Sequence, residues 1–282
     1  MALPLAFLRI LRPKQWVKNT FVLAPMVFAR AFHDWDAVEY AFFAFVLFCV
    51  GSSASYVLND LIDLERDRRH PTKRSRPLAA GEMAPRSAKI LLIVLWGLLL
   101  GSLAVMPWVA GAIMAYVLLN VAYSVKLKQM PVIDLFAIAL GFVIRVYAGA
   151  LAVDVVVSPW MFVTTLCLAL YLAAIKRRQE LMIAHDNTRE VLQQYTLPLL
   201  DRYAEMAGIS AVVFYSLFVI TERSRLVFTV PLVLLGLYRY WYVVEMHQEG
   251  ESPTDLLYKD VQLMGIVLLW AASVIYVLWP SA

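Results

Sequence analysis

Apolar runs recur from end to end of this chain, near residues 14–32, 37–58, 87–106, 108–124, 132–152, 157–175, 203–221, 226–246 and 261–279. Each is long enough to cross a hydrocarbon core of roughly 30 Å as a helix, which takes about 20 residues. The alternation expected of a membrane barrel is absent. The chain therefore reads as all-α, a polytopic membrane protein of nine transmembrane helices. Composition supports this, since 62% of the 282 residues are hydrophobic, more than a soluble domain of that length buries. No low-complexity linker interrupts it, so residues 1–282 read as a single membrane domain.

Charge sets the orientation. With the N-terminus inside, the inner segments are 1–18, 59–89, 125–131, 176–202 and 247–260, and they hold 20 of the 25 Lys and Arg residues; the outer segments hold Arg30, Arg223 and Arg225. That asymmetry is the positive-inside pattern. It implies a multi-pass protein of the cytoplasmic (inner) membrane. The start, MALPLAFLRILRPKQWVKN, puts its bases after a short apolar stretch, the reverse of a signal peptide, and reads as an interfacial helix. Cys49 and Cys167 lie in separate apolar runs and read as packing residues without a disulfide. The net charge of +4 comes from the inner face, which suits anionic lipids or anionic substrates, with no sign of nucleic-acid binding. The outer connections are too short to build a site. Chemistry is expected on the cytoplasmic side.

The inner stretch NDLIDLERDRRHPTKRSRPLAAGE begins at Asn59. Asn59, Asp63 and Asp67 recur every four residues and form one stripe on a continuous helix, with Asp60 one step round. Like charges so placed repel, and more strongly at a membrane boundary, so the stripe calls for a cation. Hard oxygen ligands without His or Cys suit Mg²⁺, which shares its shell with water and phosphate. Lys73, Arg74 and Arg76 follow and could lie against the same phosphates. The plainer reading, a solvated helix end whose acids pair with Arg66, Arg68 and Arg69, is disfavoured by the small-residue run GSSASYVL before it, which suits close helix packing.

These residues carry a resemblance. NxxxDxxxD followed by a basic RPLAxG segment resembles the UbiA-type intramembrane prenyltransferase superfamily, and YSVKLKQMPVIDLFAIALGFVIR, from Tyr123 to Arg145, is similar to the segment after that family's fourth helix. The resemblance implies nine helices around a central cavity open to the cytoplasmic side, and a Mg²⁺-dependent site. Members that prenylate aromatic rings carry a second acidic repeat after the sixth helix. Here that stretch is YLAAIKRRQELMIAHDNTREVLQQYT, where Lys176, Arg177 and Arg178 stand in place of acids and Glu180, Asp186 and Glu190 are scattered. Three bases suit an anion, or else anchor the sixth helix. With LRPKQWVKN, GLYRYWYVVE and SPTDLLYKD, the pattern resembles the decaprenyl-phosphate phosphoribosyltransferase branch, which implies a polyprenyl phosphate acceptor and a phosphoribosyl diphosphate donor, and a role in arabinan-type cell-wall precursor synthesis.

On that resemblance Asn59, Asp63 and Asp67 are expected to hold Mg²⁺, and Asp60, Asp63 and Asp67 to be the catalytic acids, with Asp60 beside the metal or on a ribose hydroxyl. Lys73 and Arg76 are expected on donor phosphates. Lys18, Lys126 and Arg145 lie at or within helix ends and could reach the same cavity. Arg145 needs a partner inside its span. Asp134, eleven residues earlier, would need a bridge to serve it, or else each pairs elsewhere. Lys176, Arg177, Arg178 and Arg189, with Glu180 among them, are expected around the lipid phosphate or the donor 5-phosphate. No general base is required, because a lipid phosphate is already an anion, and His33, His70, His185 and His247 stand singly. Trp16, Trp108, Trp160 and Trp241 read as interface anchors. Two rival readings are a transporter and a UbiA-type enzyme moving a prenyl chain to an aromatic or lipid acceptor. A homo-oligomer remains open.

Overall fold

A computed structural model describes residues 3–69, 73–183, 190–247 and 253–279. Among the described residues every regular element is helical. Among these residues, eight helices are long and apolar enough to cross a membrane. The run expected as a first span differs from the rest: residues Pro13–Leu23 form a 3-10 helix, followed by a short α-helix, α2 (Ala24–Phe28). At a rise of about 2.0 Å per residue the eleven 3-10 residues extend roughly 22 Å, whereas the same residues in an α-helix would extend roughly 16 Å.

The chain divides into two compact units, 1–26, 32–124 and 144–155 in one, and 27–31, 125–143 and 156–282 in the other. The first holds α1 (Leu3–Leu11), the 3-10 segment, α3 (Trp35–Ile62), α4 (Leu64–Arg69), α5 (Pro85–Ser102), nearly all of α6 (Pro107–Val125) and the second half of α7 (Ile133–Ala152). Helix α3 starts at an Asp34 cap that accepts from the Asp36 amide at 3.0 Å. Its 28 residues extend about 42 Å, more than the hydrocarbon core, so its last turns emerge. Gly51, Ser52, Ser53, Ala54 and Ser55 are all buried along its middle. A methyl group added at Gly51 would stand 2.5 Å from the Ile113 side chain of α6, which is why the run is small.

The 3-10 segment is held by the same small face. Asn19 is fully buried; its Nδ2 donates to Ser52 Oγ at 3.0 Å and Cys49 Sγ at 3.3 Å, and its Oδ1 accepts from Arg145 Nε at 2.9 Å. Trp16 Nε1 donates to Ser53 Oγ at 3.1 Å, so this tryptophan packs against α3. Four residues beyond Arg145, on the same face of α7, Gly149 lets the segment's backbone lie flush: a Cβ there would fall 1.8 Å from the Val22 carbonyl oxygen. Cys49 and Cys167 are both free thiols.

The second unit contains α8 (Pro159–Ile183), α9 (Leu197–Glu222), α10 (Val230–His247), α11 (Pro253–Lys259) and α12 (Val261–Leu278), around a core that includes Tyr171, Ile175, Ala204, Tyr240 and Leu256. Asp260 caps α12 through the Leu263 amide at 2.7 Å and takes both Arg239 Nε and Nη2, at 3.1 and 2.7 Å. Two of the bases assigned to outer connections serve as helix C-caps: Arg30 Nε donates to Leu278 O at 3.0 Å, and Arg223 Nε to Phe28 O at 3.1 Å.

Substituting Gly149→Ala is expected to destabilise the protein by about 1–3 kcal/mol, because the Val22 backbone has to move to admit the methyl group. Gly97, with nothing within 4 Å of its added Cβ, is the control; a thermal melt in detergent in which both alanine variants match the wild type would refute the close approach.

Candidate active site

The expected acidic stripe is not one straight helix. Asp63 is the C-cap of α3, with φ −90° and ψ 7°, and α4 restarts at Leu64. Helical bonding carries through the bend, since the Asp63 amide reaches Asn59 O at 2.9 Å and the Asp67 amide reaches Asp63 O at 2.8 Å. On such a path residues seven apart fall within about 20° of each other, closer than residues four apart, so Asp60 and Asp67 share a face. Asp60 and Asp67 are each 2% exposed and share one guanidinium nitrogen, Arg76 Nη1, at 3.0 Å from Asp60 Oδ1 and 2.6 Å from Asp67 Oδ2. Asp63 instead lies outside this cluster, 30% exposed, with Arg66 at 3.8 Å. Asn59 turns to α6, where its Oδ1 accepts from Ser124 Oγ at 2.9 Å. The pair at the centre is thus Asp60 with Asp67, a correction to the four-residue stripe.

Arg76 is delivered by a tight turn. Gly81 takes φ +76°, a conformation open to glycine, and amides of Ala80, Gly81 and Met83 bond back to the carbonyls of Arg76, Leu78 and Pro77. Leu78 and Met83 are buried with Ile10, Val57 and Ala88. Arg9 ties this turn to α1, bonding Glu82 at 2.6 Å and Ser75 O at 3.0 Å. A second guanidinium was not anticipated from the sequence: Arg12 Nη2 lies 2.5 Å from Asp60 Oδ1, with its head 4.8 Å from the Tyr56 ring centre. Arg12 sits at φ 54°, ψ 58° immediately before Pro13, a left-handed conformation uncommon for a side chain of this size. Its place directly before a proline, among Arg9, Lys14 and Lys18, gave little to single it out. Asp60 Oδ2 is left buried without a hydrogen-bond partner.

An orphaned carboxylate oxygen beside a second buried carboxylate is a hard donor set that fits Mg²⁺. Among the described residues no three of His, Cys, Asp and Glu converge as a self-sufficient metal cage. Two carboxylates would make up only part of a metal's shell.

Lys73 opens a 3-10 turn, Lys73–Ser75, directly before Arg76, and Lys18 precedes Asn19 on the 3-10 segment. Arg145 is 4% exposed and bound within its own unit, to Asn19 and to Tyr116 Oη at 2.9 Å, with its head 4.6 Å from the Tyr116 ring centre. Asp134 is bonded to Arg177 and Tyr195.

In the second unit the KRRQE stretch has its own partners. Arg177 is fully buried; its Nε bonds Asp134 Oδ2 at 2.6 Å, and its Nη1 bonds Glu180. Tyr195 Oη donates to Asp134 Oδ1 at 2.6 Å and accepts from the Val132 amide at 2.6 Å. That amide belongs to a β-branched residue at φ 68°, a strained conformation held by this bond. Burial, and then the bond to Asp134, raise the Tyr195 hydroxyl above its ordinary value. Arg178 spans Asp201 at 2.5 Å and Glu245 at 2.8 Å. Consecutive residues on a helix point about 100° apart, and here Arg177 and Arg178 are bound to carboxylates. Lys176, half-buried and 3.7 Å from Glu180, and the exposed Lys126 are less enclosed. Arg189, with His70, His185 and Asp186, lies outside the described residues.

A multi-pass helical membrane protein with a paired-acid, basic-rimmed site at one helix end is the class these features define. Residues 20–258 match the profile of the UbiA prenyltransferase family. The decaprenyl-phosphate phosphoribosyltransferase of Corynebacterium glutamicum is 34% identical over 95% of this chain and 85% of its own, and that of Mycobacterium tuberculosis strain H37Rv is 32% identical over 94% and 92%. The fold is that of a UbiA homolog from Archaeoglobus fulgidus solved with DMAPP and Mg²⁺, at a TM-score of 0.69 and 20% identity, covering 96% of this chain and 98% of that one. This chain belongs to the UbiA prenyltransferase family.

Replacing Asp134 by Ala is expected to cost about 3–5 kcal/mol, since it leaves Arg177 charged and buried, while Tyr195→Phe costs about 1–3 kcal/mol. The raised Tyr195 hydroxyl adds stability that is complete below its unfolded value of 10.0 and declines as the pH rises towards the folded one. Chemical denaturation of the three proteins between neutral and alkaline pH checks both; an Asp134→Ala variant as stable as the wild type would refute the network.

Proposed function

We propose that this protein transfers a 5-phosphoribosyl group from phosphoribosyl diphosphate to a polyprenyl phosphate and releases diphosphate. The observation that carries the reading is the 34% identity over 95% of the chain to the Corynebacterium glutamicum phosphoribosyltransferase. The site is compatible with it. Among the described residues around KRRQE, Asp134, Glu180, Asp201 and Glu245 are each bonded to Arg177 or Arg178, an arrangement unlike a second acidic clamp.

In the proposed reaction an oxygen of the lipid phosphate attacks ribose C1 as the C1–O bond to diphosphate breaks, and the bonding pair leaves with diphosphate. Positive charge builds on the sugar ring and negative charge on the leaving group. Asp60 and Asp67 would hold Mg²⁺, with Asn59 and Asp63 bordering them; bound there, the ion supplies Lewis-acid neutralisation of the departing diphosphate. Arg76 and Lys73, beside those acids, are assigned to the donor's phosphates, and Arg12 orients Asp60. Such fixed charge acts where negative charge develops, in surroundings partly screened from water. The attacking oxygen is already ionised near neutral pH, so no side chain need remove a proton. In the second unit Lys176 is assigned to a substrate phosphate, whereas Arg177 and Arg178 hold the fold.

The family match and the structural likeness run through both compact units, which supports a single membrane domain over 1–282. Inner-membrane placement with the site facing the cytoplasm rests on the 20 of 25 Lys and Arg assigned to inner segments. Service to arabinan-type cell-wall polymers rests on the resemblance to that branch.

Purified protein in detergent, given Mg²⁺, polyprenyl phosphate and radiolabelled phosphoribosyl diphosphate, should move label into the lipid phase, and EDTA should stop it. Asp60→Ala or Asp67→Ala should lower the rate by roughly a hundredfold or more. Transfer of a prenyl group from prenyl diphosphate to an aromatic acceptor, without phosphoribosyl transfer, would replace this reading.

A further inference from the structure

We propose that Tyr56 and Asn120 read the hydroxyls of a pentose, so that the space one helical turn inward of the acid pair is built for the donor's sugar and not for a prenyl chain. The inference rests on the proposed phosphoribosyl transfer, and names the residues that select the sugar.

Their placement follows from two helices of the first unit. The Phe48 ring of α3 lies 4.8 Å from the Tyr116 ring of α6, and further along both helices Asn59 accepts from Ser124 at 2.9 Å. The two helices therefore run side by side in one direction. Between those contacts stand Tyr56 on α3 and Asn120 on α6. Asn120 shares a face with Tyr116 and Ser124, each four residues away. Tyr56 shares one with Asp60 in the same way, about 6 Å further into the membrane.

Both side chains carry hydrogen-bonding capacity that the protein does not use. Tyr56 is half-buried, with the Arg12 guanidinium 4.8 Å from its ring centre, and its hydroxyl makes no hydrogen bond among the described residues. Asn120, also half-buried, donates Nδ2 to the Tyr116 carbonyl at 2.8 Å. Its Oδ1 accepts nothing among the described residues. Deeper in the same unit polar groups close on each other, since Arg145 bonds Asn19 and Tyr116 Oη, each at 2.9 Å. A polar group within a span finds no partner in lipid, so open groups on two facing helices mark a place for a polar ligand.

A sugar supplies what they lack. Anchored at C1 through a diphosphate beside Asp60 and Asp67, a pentose extends about one helical turn, which brings its hydroxyls to this depth. A hydroxyl both donates and accepts, so one donates to Asn120 Oδ1 while another bonds the Tyr56 hydroxyl. Arg12 holds Asp60 Oδ1 at 2.5 Å while it lies against the Tyr56 ring, which fixes the sugar-reading hydroxyl relative to the acid. An isoprenoid chain in the same place would leave both groups without a partner, and a site built in this way discriminates against such a ligand.

The test measures binding of radiolabelled phosphoribosyl diphosphate to the full-length protein in detergent with Mg²⁺, in competition with the 2-deoxy and 3-deoxy forms of that donor. On the wild type each deoxy form should compete roughly tenfold more weakly than the unlabelled parent. Tyr56→Phe and Asn120→Leu should each bind the parent roughly tenfold more weakly, and each should become indifferent to one of the two missing hydroxyls. Variants that bind the parent more weakly yet keep both penalties would show a structural role only and overturn the proposal. If the wild type does not distinguish the deoxy forms from the parent, the proposal is overturned whether or not the variants fold, while the phosphoribosyl reading stands. If the wild type retains a prenyl diphosphate and no phosphoribosyl diphosphate, that reading fails and this inference with it.

Discussion

Hydrocarbon offers no hydrogen-bond partner, so each polar group that this chain carries into the membrane must find one in the protein. The bond from Arg145 to Asn19 shows how much follows from that requirement. Asn19 uses its amide on Ser52 and Cys49 and its carbonyl on Arg145. In doing so it fixes an extended 3-10 segment against α3 and the later half of α7. The small residues of α3, the glycine at 149 and the geometry of the segment are mutually required. The same logic recurs in the other unit, where Asp134, Arg177 and Tyr195 satisfy one another.

These networks separate charges that support the fold from charges available to a ligand. Arg145, Arg177 and Arg178 are enclosed and bound to groups of their own unit. Around Asp60 the balance differs, because the guanidiniums are partly exposed, one carboxylate oxygen has no partner and the turn bearing Arg76 is a surface element. A buried acid pair that is neutralised but incompletely bonded is poised for exchange, and this distinguishes it from the sealed pair at Asp134.

Much of this was legible in the sequence. Apolar runs located the eight long helices, the N/D stretch located the acidic end of α3, and the basic turn after it located Arg76. The four-residue spacing drew attention to Asn59, Asp63 and Asp67, whereas Asp60 and Asp67, seven residues or about two helical turns apart, are the pair that shares Arg76. Arg12 was invisible because its contact spans 48 positions. The Arg145 and Asp134 question had a geometric answer: eleven residues of helix separate them by about 16 Å, too far for a bond, so each was bound to settle with another element. Adjacent bases in KRRQE suggested one cluster, but helical rotation sends neighbours to different partners.

The length of α3 has a bearing on how substrates arrive. From Trp35, exposed at its start, to Asp60 the helix advances about 37 Å, and a tilt of about 20° shortens that by only about 6%. That advance exceeds a hydrocarbon core of roughly 30 Å, so with Trp35 at one boundary Asp60 would stand at or past the other. An amphiphile anchored by its tail carries its phosphate at that same depth. For the proposed lipid phosphate acceptor the approach would then be a two-dimensional search along the bilayer plane, and only the proposed water-soluble donor would descend from the bulk.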